Sequence, residues 1–340
     1  MALFILLALS FLFSLAITFA MGNIASRARL TAIENERSSH TGSVPVGGGL
    51  GFVLVYFVSI CALWGLGSLS LSHAIVLFSA IPVAIVGLFD DKSHVDFRLR
   101  LGVQTFCALV AAFFVGRLPA IDFAFFSLPL TGVGLVLVPM AFLWLTNLYN
   151  FMDGIDGIAA GQACIACLGA AVIFLQHNNG TLALLCLLMF AAYLGFLVLN
   201  WHPARIFMGD IGSGFSGFMF GAVALIGHAT HTMSLWSWIL LLGIFIVDAT
   251  VTLLRRWRSG QRLYEAHRSH VYQHLALKYG SHSAVVWRLS LINVIYLMPL
   301  ALLAGKLPEY GVYFASAGLL PLVLVAIKLG AGLPSTRTAQ

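Results

Sequence analysis

Apolar runs of membrane-spanning length follow one another along almost the whole chain, separated by short polar gaps. Windows of about 20 apolar residues fall at roughly 2–22, 47–65, 71–89, 101–116, 131–147, 158–176, 181–199, 212–228, 234–254, 284–304 and 310–329. About eleven spans result, and each is predicted to be an α-helix, because a segment surrounded by lipid must satisfy its own backbone groups. The pattern therefore predicts an all-α, polytopic membrane protein, with one domain over 1–330 and a disordered tail over 331–340. The run from Ala2 to Met21 has no basic segment before it and is too long for the apolar core of a signal peptide, so it is expected to remain as the first helix.

The gaps are not alike. Of the 18 Lys and Arg residues, all but Arg117 and Lys306 lie in or beside alternate gaps and in the C-terminal tail. Positive residues are retained on the cytosolic side, which predicts an N-terminus outside and a C-terminus in the cytosol. The same side then receives the segments 23–46, 90–100, 147–157, 200–212 and 255–283. Those segments carry the conspicuous carboxylates and histidines, which points to an active site built at the inner surface of the bilayer.

Composition narrows the classes. The chain of 340 residues is 60% hydrophobic and 9% charged, with a mean hydropathy of +0.98, whereas a soluble domain is about 25% charged. A formal charge of +6 suits contact with anionic membrane lipids or phosphorylated substrates without choosing between them. No basic segment is interleaved with aromatic residues outside the apolar runs, which argues against nucleic acid as a partner. All five cysteines lie inside apolar runs, so the Cys164-x-x-Cys167 spacing reads as helix packing rather than redox or zinc chemistry.

Four clusters carry candidate chemistry. Asp90 and Asp91 stand together at the end of the third run, followed by Arg98 and Arg100. Adjacent carboxylates in an apolar setting require a cation or a task, here general-base or metal chemistry with the arginines holding a phosphate. Asn147, Asn150, Asp153 and Asp156 recur every three positions, a hard oxygen set suited to Mg²⁺, with Gly154 and Gly157 allowing a break. Asp210 follows Gly209 at the start of an apolar run, where exposed N–H groups favour an anion and Asp210 can complete a metal site. His267, His270 and His274 would share one face if helical, with Arg268 beside them to bind a diphosphate or sugar. Asp248, inside the ninth window, is open to two readings, an internal ion pair bracing this loop or a direct role. Gly47 to Gly49, preceded by Ser39, His40 and Thr41, are equally open to close packing and to substrate contact.

Taken together, the Asp pair at 90 and 91, the N-x-x-N-x-x-D-G-x-D-G run from Asn147, the G-D-x-G-S element at 209–213 and the H-x-x-H-x-x-Q element at His267, His270 and Gln273 resemble the polyprenyl-phosphate N-acetylhexosamine-1-phosphate transferase superfamily, glycosyltransferase family 4. The resemblance implies transfer of a sugar 1-phosphate from a UDP-N-acetyl sugar to undecaprenyl phosphate, with release of UMP, in a bacterial cytoplasmic membrane. It implies Asp90, Asp91, Asp153 and Asp156 as catalytic residues. It assigns substrate binding to Asn147, Asn150, Arg98, Arg100, His267, Arg268, His270 and Gln273. It also implies Mg²⁺, replaceable by Mn²⁺, on Asp156 and Asp210, and it is compatible with a homodimer. The H-R-S-H form at 267–270 is most similar to enzymes that initiate O-antigen synthesis, with the peptidoglycan phospho-MurNAc-pentapeptide transferase as the alternative. The chain departs from some members at His94, where an acidic or amide residue is expected and Asp96 is the nearest substitute. A secondary transporter is the rival from another class. It would place its acids near the bilayer midplane on broken helices in repeated halves.

Overall fold

In the computed structural model the described residues are 1–28, 31–32, 44–93, 95–262 and 267–334. Arg29, Arg37, Ser39 to Thr41, His94 and most of the expected disordered tail, from 335 onward, lie outside them. The chain forms helices α1 (Ala2–Arg27), α2 (Leu50–Gly65), α3 (Leu71–Phe78), α4 (Ala80–Lys92), α5 (Phe97–Phe114), α6 (Gly134–Phe151), α7 (Ile158–Gln176) and α8 (Gly180–Asn200). It continues with α9 (Asp210–Ala229), α10 (Leu235–Leu241), α11 (Gly243–Arg258), α12 (Val271–Tyr279), α13 (His282–Ile292), α14 (Met298–Lys306) and α15 (Gly311–Lys328). Two short antiparallel ribbons, Thr31–Ala32 with Val44–Pro45 and Ile121–Phe123 with Phe126–Leu128, lie in the gaps.

Each predicted window is occupied by helix, and the protein is an all-α multi-pass membrane protein. Nine helices among the described residues are long and apolar enough to cross a bilayer, with α3 and α4 forming one of them. The second window holds only the 16 residues of α2, about 24 Å of helix against a hydrocarbon core of about 30 Å. The ninth window is bent by 79° between α10 and α11. This break is supported from inside: Gln162 of α7 donates Nε2 to the carbonyl of Leu241 (2.7 Å) and accepts Asn293 Nδ2 (2.7 Å). A freed helix carbonyl in an apolar core needs such a donor.

Helix α9 is the axis of the bundle; its window is wholly buried, while α1, α5 and α15 expose most of theirs. Its sequence allows this. Gly212, Gly217 and Gly221 let neighbours approach: an added Cβ at Gly217 would collide with the Leu145 carbonyl of α6, and one at Gly221 would sit 3.2 Å from the Phe142 ring. Small-residue faces of this kind drive helix packing where lipid offers no hydrophobic gain. Gly49 has the same use, since its Cβ would lie 2.5 Å from Gly212 Cα. The Gly47 to Gly49 run is therefore close packing. Its backbone also pairs with the strand-like entry to α9, through Phe207 N to Pro45 O (2.8 Å), Gly48 N to Phe207 O and Gly49 N to Met208 O (both 3.0 Å). Cys164 and Cys167 are buried in α7 as free thiols, as the packing reading expects.

A methyl added at this seam tests the packing. Gly217→Ala is expected to lose roughly 1–3 kcal/mol of stability, whereas Gly102→Ala, where a Cβ meets nothing within 4 Å, stays within about 0.5 kcal/mol. Unfolding of both variants in detergent, followed by circular dichroism, checks the difference.

Candidate functional site

The site begins where α4 runs onto the first turn of α9. Gly87 makes the approach: a Cβ there would lie 2.5 Å from Asp210 O. One turn later, the Asp91 carboxylate accepts the first two amides of α9, Asp210 N at 2.7 Å and Ile211 N at 3.1 Å. A helix N-terminus leaves its first N–H groups unsatisfied, and a carboxylate there also meets the favourable end of the helix dipole. Gly209, at φ +76°, turns the chain into α9 where a side chain would collide with that carboxylate. The anion expected at this N-terminus is thus supplied by the protein itself.

Asp90 points elsewhere. It accepts Val95 N at 2.7 Å and pairs with Arg100. The same Arg100 Nη1 also reaches Asp210 Oδ2 at 3.0 Å, so one guanidinium bridges two carboxylates from distant helices. Asp96 caps α5 by accepting Arg98 N (2.6 Å) and is engaged there. Arg98 is exposed, with its guanidinium 5.8 Å from the Phe97 ring. Arg100 thus lines the cleft, while Arg98 stands at the exposed start of α5.

The N-x-x-N-x-x-D-G-x-D-G run does not stay on one face. Helix α6 ends at Phe151 and α7 starts at Ile158, with Gly157 left-handed at φ +75°. Asn147 is held by Leu143 O (2.7 Å) and Gln104 Oε1 (3.3 Å) through its Nδ2. With Asn150, Thr146, Gln104, Arg100 and Asp210 it lines a cleft whose other walls are Val83, Val86 and Val103. Asp156, past the break, is buried and faces His202 and His282, whose Nδ1 atoms lie 2.6 and 3.3 Å from its Oδ2. Ala204 N donates to the same oxygen at 3.2 Å. The structure thus groups Asp210 with Asp90, Asp91 and Arg100, and Asp156 with two histidines.

Between the two groups sits Asp153, half-buried in the break. Burial, reinforced by the negative charges of Asp91 and Asp156, pushes its carboxyl up to about 7. Among the described residues no protein donor hydrogen-bonds to it.

The histidine segment closes the site from above. Residues 267–270 precede α12 rather than lying in it, so the expected i, i+3, i+7 face is interrupted; His274 turns away to the Leu329 carbonyl (3.1 Å). His270 is the residue before the first turn, and Gln273 Oε1 accepts its backbone N at 3.2 Å. Gln273 thus caps the start of α12 through its Oε1. Asp248 settles its two readings by receiving Val271 N (2.9 Å), Tyr272 N (3.0 Å) and His270 Nδ1 (3.2 Å). Tyr272 then reaches over Gly154 to donate its hydroxyl to Phe151 O at 3.0 Å, tying the α12 segment to the α6–α7 break. His267 stacks on His270 with ring centres 4.9 Å apart and pairs through Nδ1 with Ser269 Oγ (2.9 Å). Arg268 lies in the same stretch, half-buried.

The sequence reading passed over His202, His282, Gln104 and Thr146. His202 and His282 do stand in the polar gaps it marked, and that placement was the available signal. Their ligand atoms and that of Asp156 lie within 4.8 Å of one another. Hydrogen bonds from Ala204 and His202 already serve the shared carboxylate. Asp210, Asn147 and Asn150 instead offer carboxylate and amide oxygens around one cleft, the hard donor set that Mg²⁺ prefers.

Comparison with known proteins gives a consistent picture. A family model described as glycosyl transferase family 4 matches residues 73–228. The chain is 29% identical over 296 residues, 84% of its length and 81% of the relative's, to a probable undecaprenyl-phosphate N-acetylglucosaminyl 1-phosphate transferase of Bacillus subtilis (strain 168). It is 27% identical over 332 residues, 94% and 87% of the two lengths, to the undecaprenyl-phosphate alpha-N-acetylglucosaminyl 1-phosphate transferase of Escherichia coli (strain K12). The protein of that name from Yersinia pestis is 26% identical over 331 residues.

An aspartate whose carboxyl is raised from 3.8 to about 7 opposes folding in its charged form, so its contribution to stability is lost as the pH climbs through that interval. Asp153→Asn removes the titration. In metal-free detergent solution the variant should melt above the parent, by a small margin at about pH 5 and a larger one at about pH 8. Equal margins at both would show that Asp153 is not desolvated.

Proposed function

We propose that the chain, which matches a glycosyl transferase family 4 model over residues 73–228, transfers an N-acetylhexosamine 1-phosphate from a UDP-sugar to undecaprenyl phosphate, releasing UMP. The observation that supports this reading most is the cleft between α4, α5, α6 and α9. Its valine walls meet Arg100, Asp210, Asn147 and Asn150 at one end, the combination a phosphorylated isoprenoid needs.

The nucleophile is an oxygen of the lipid phosphate. With a second pKa near 6 it is already anionic at neutral pH, so it needs placement more than deprotonation. Val83, Val86 and Val103 receive the first isoprene units and Arg100 draws the phosphate in, exchanging part of its pairing with Asp90 and Asp210. Asp90 and Asp91 then have separate tasks: Asp90 orients Arg100, and Asp91 holds the start of α9 and with it Asp210. In-line attack on the β-phosphorus of the UDP-sugar breaks the bond to the UMP oxygen. Positioning and charge neutralisation carry most of such a reaction. Mg²⁺, or Mn²⁺ in its place, would be held by Asp210, with Asn147 and Asn150 as neutral oxygen donors and Asp153 and Asp156 as the further carboxylates of the α6–α7 break. It would neutralise the diphosphate and the leaving nucleotide. Asp156 braces the 200–206 loop through His202.

On this reading the site lies on the cytosolic side of a bacterial inner membrane, a side that the basic residues flanking these loops favour. The product is a carrier lipid for an envelope polysaccharide such as O-antigen. The break between α10 and α11 is the one feature a transporter would share. Asp248, beside that break, has its carboxylate saturated by backbone and imidazole donors, which leaves it nothing to relay.

Purified protein supplied with undecaprenyl phosphate, Mg²⁺ and a panel of UDP-sugars is expected to release UMP with at least one N-acetylated donor. Folded protein that releases none with any donor overturns the proposal. Asp210→Asn should lower turnover about 10²-fold or more while melting like the parent. Near-parental turnover in this variant would remove Asp210 from the metal site.

A further inference from the structure

Asp248 lies in α11, one helix away from the cleft, and is 5% exposed. Its Oδ1 accepts Val271 N at 2.9 Å and stands 3.2 Å from both Thr252 Oγ1 and His270 Nδ1; its Oδ2 accepts Tyr272 N at 3.0 Å. A carboxylate whose two oxygens already accept amide hydrogens acts as the acceptor in its other contacts. The proton in its contact with His270 must therefore sit on Nδ1 of the ring. In the neutral imidazole that leaves the lone pair on Nε2.

Nε2 of His270 is buried and has no hydrogen-bond partner among the described residues. An acceptor in that state costs about 1–3 kcal/mol. The ring cannot relieve it by turning. It lies in a near-parallel stack with His267 at 4.9 Å, Tyr272 at 5.7 Å and Phe151 at 6.4 Å between ring centres. Tyr272 Oη is already bonded to Phe151 O, and Nδ1 of His267 to Ser269.

We propose that Asp248 is a positioning residue, fixing His270 as the Nδ1–H tautomer so that Nε2 accepts a hydrogen bond from an O–H or N–H group of the nucleotide sugar. The proposal rests on the sugar 1-phosphate transfer argued above. It also revises the role expected of His270, since a bare Nε2 repels phosphate oxygens, which are acceptors at neutral pH, and selects hydroxyl or amide hydrogens. The arrangement follows the logic of a buried aspartate that sets the tautomer of a histidine. Here the same carboxylate also starts α12, so the orientation of the ring and the fold of its helix are fixed together.

Nitrogen NMR of ¹⁵N-histidine-labelled protein in detergent tests the tautomer without any turnover. The His270 signals, assigned by their loss in His270→Ala, should show Nδ1 protonated and Nε2 bare at neutral pH. A protonated Nε2 overturns the proposal. Addition of UDP-N-acetylglucosamine should shift the Nε2 signal toward the hydrogen-bonded range. A shift with UDP alone would assign the donor group to the nucleotide, a shift only with the full substrate would assign it to the sugar, and no shift with either overturns the proposal. In the transfer assay, Asp248→Asn should lower kcat/KM by at least about tenfold in the parent but less than about twofold in a His270→Ala background. Equal losses in both backgrounds would reduce Asp248 to a helix cap. If no UDP-sugar is turned over, the transferase reading fails, while the NMR measurement still decides the tautomer.

Discussion

Two amide hydrogens at the start of α9, both taken by the Asp91 carboxylate, are the contact on which the rest of the site depends. Helix α9 is the buried axis of the bundle, so its first turn draws its acceptors from the protein. An uncapped N-terminus there would leave N–H groups unpaired in apolar surroundings, at several kcal/mol each. Asp91 removes that penalty from a different helix. The cap therefore also sets the distance between α4 and α9. Gly87 and Gly209 are the two positions where a side chain would prevent it. Once Asp91 is fixed, its neighbour Asp90 is fixed as well, and Arg100 can reach both Asp90 and Asp210 only because the cap has brought their helices together.

The same device occurs a second time. Asp248 of α11 takes the first amides of α12 and, through His270, orients a side chain of the site. In each case a carboxylate in one element starts another helix, and a residue next to the capped turn faces the chemistry. This is a sound solution for a bilayer surface, where loops long enough to carry a site are hard to satisfy inside the hydrocarbon and are expensive in entropy outside it. Short helices whose starts are clamped from neighbouring spans need little loop. The tie from Tyr272 to Phe151 joins the second clamp to the break between α6 and α7, so the segments marked out as polar gaps form one continuous structure.

The helices and their order were legible because lipid imposes a single rule on every span, and that rule leaves a mark of about 20 residues in the sequence. The break at Leu242 was not, since the freed Leu241 carbonyl is satisfied by Gln162 of α7, itself held by Asn293, and both lie far away in sequence. The residue types of the site were also legible, because carboxylates and amides stand out in a chain that is 9% charged. Their grouping was not. A spacing of three from Asn147 to Asp156 suggests one face only if the helix continues, and it stops at Phe151. His267 and His274 are separated for a similar reason: α12 begins after His270, not before His267. Periodicity describes a helix once its ends are known, and here the ends are set by carboxylates far away in sequence.

The charges of the site can be followed one at a time, and their compensation is uneven. Asp90 pairs with Arg100 and accepts the amide of Val95, Asp91 accepts two amides of α9, Asp248 meets two amides and His270, and Asp156 meets His202 and the amide of Ala204. Asp210 shares Arg100 with Asp90, so it has at most part of one positive charge. Asp153 has none, and burial holds its carboxyl near 7. Two carboxylates with so little compensation are unfavourable in a protein that has no other purpose for them. Under the proposed transfer, a divalent cation arriving with a diphosphate would supply the missing positive charge, because such an ion is shared between protein and substrate oxygens. On that reading, the same charges that weaken the empty protein would favour a metal-bound substrate.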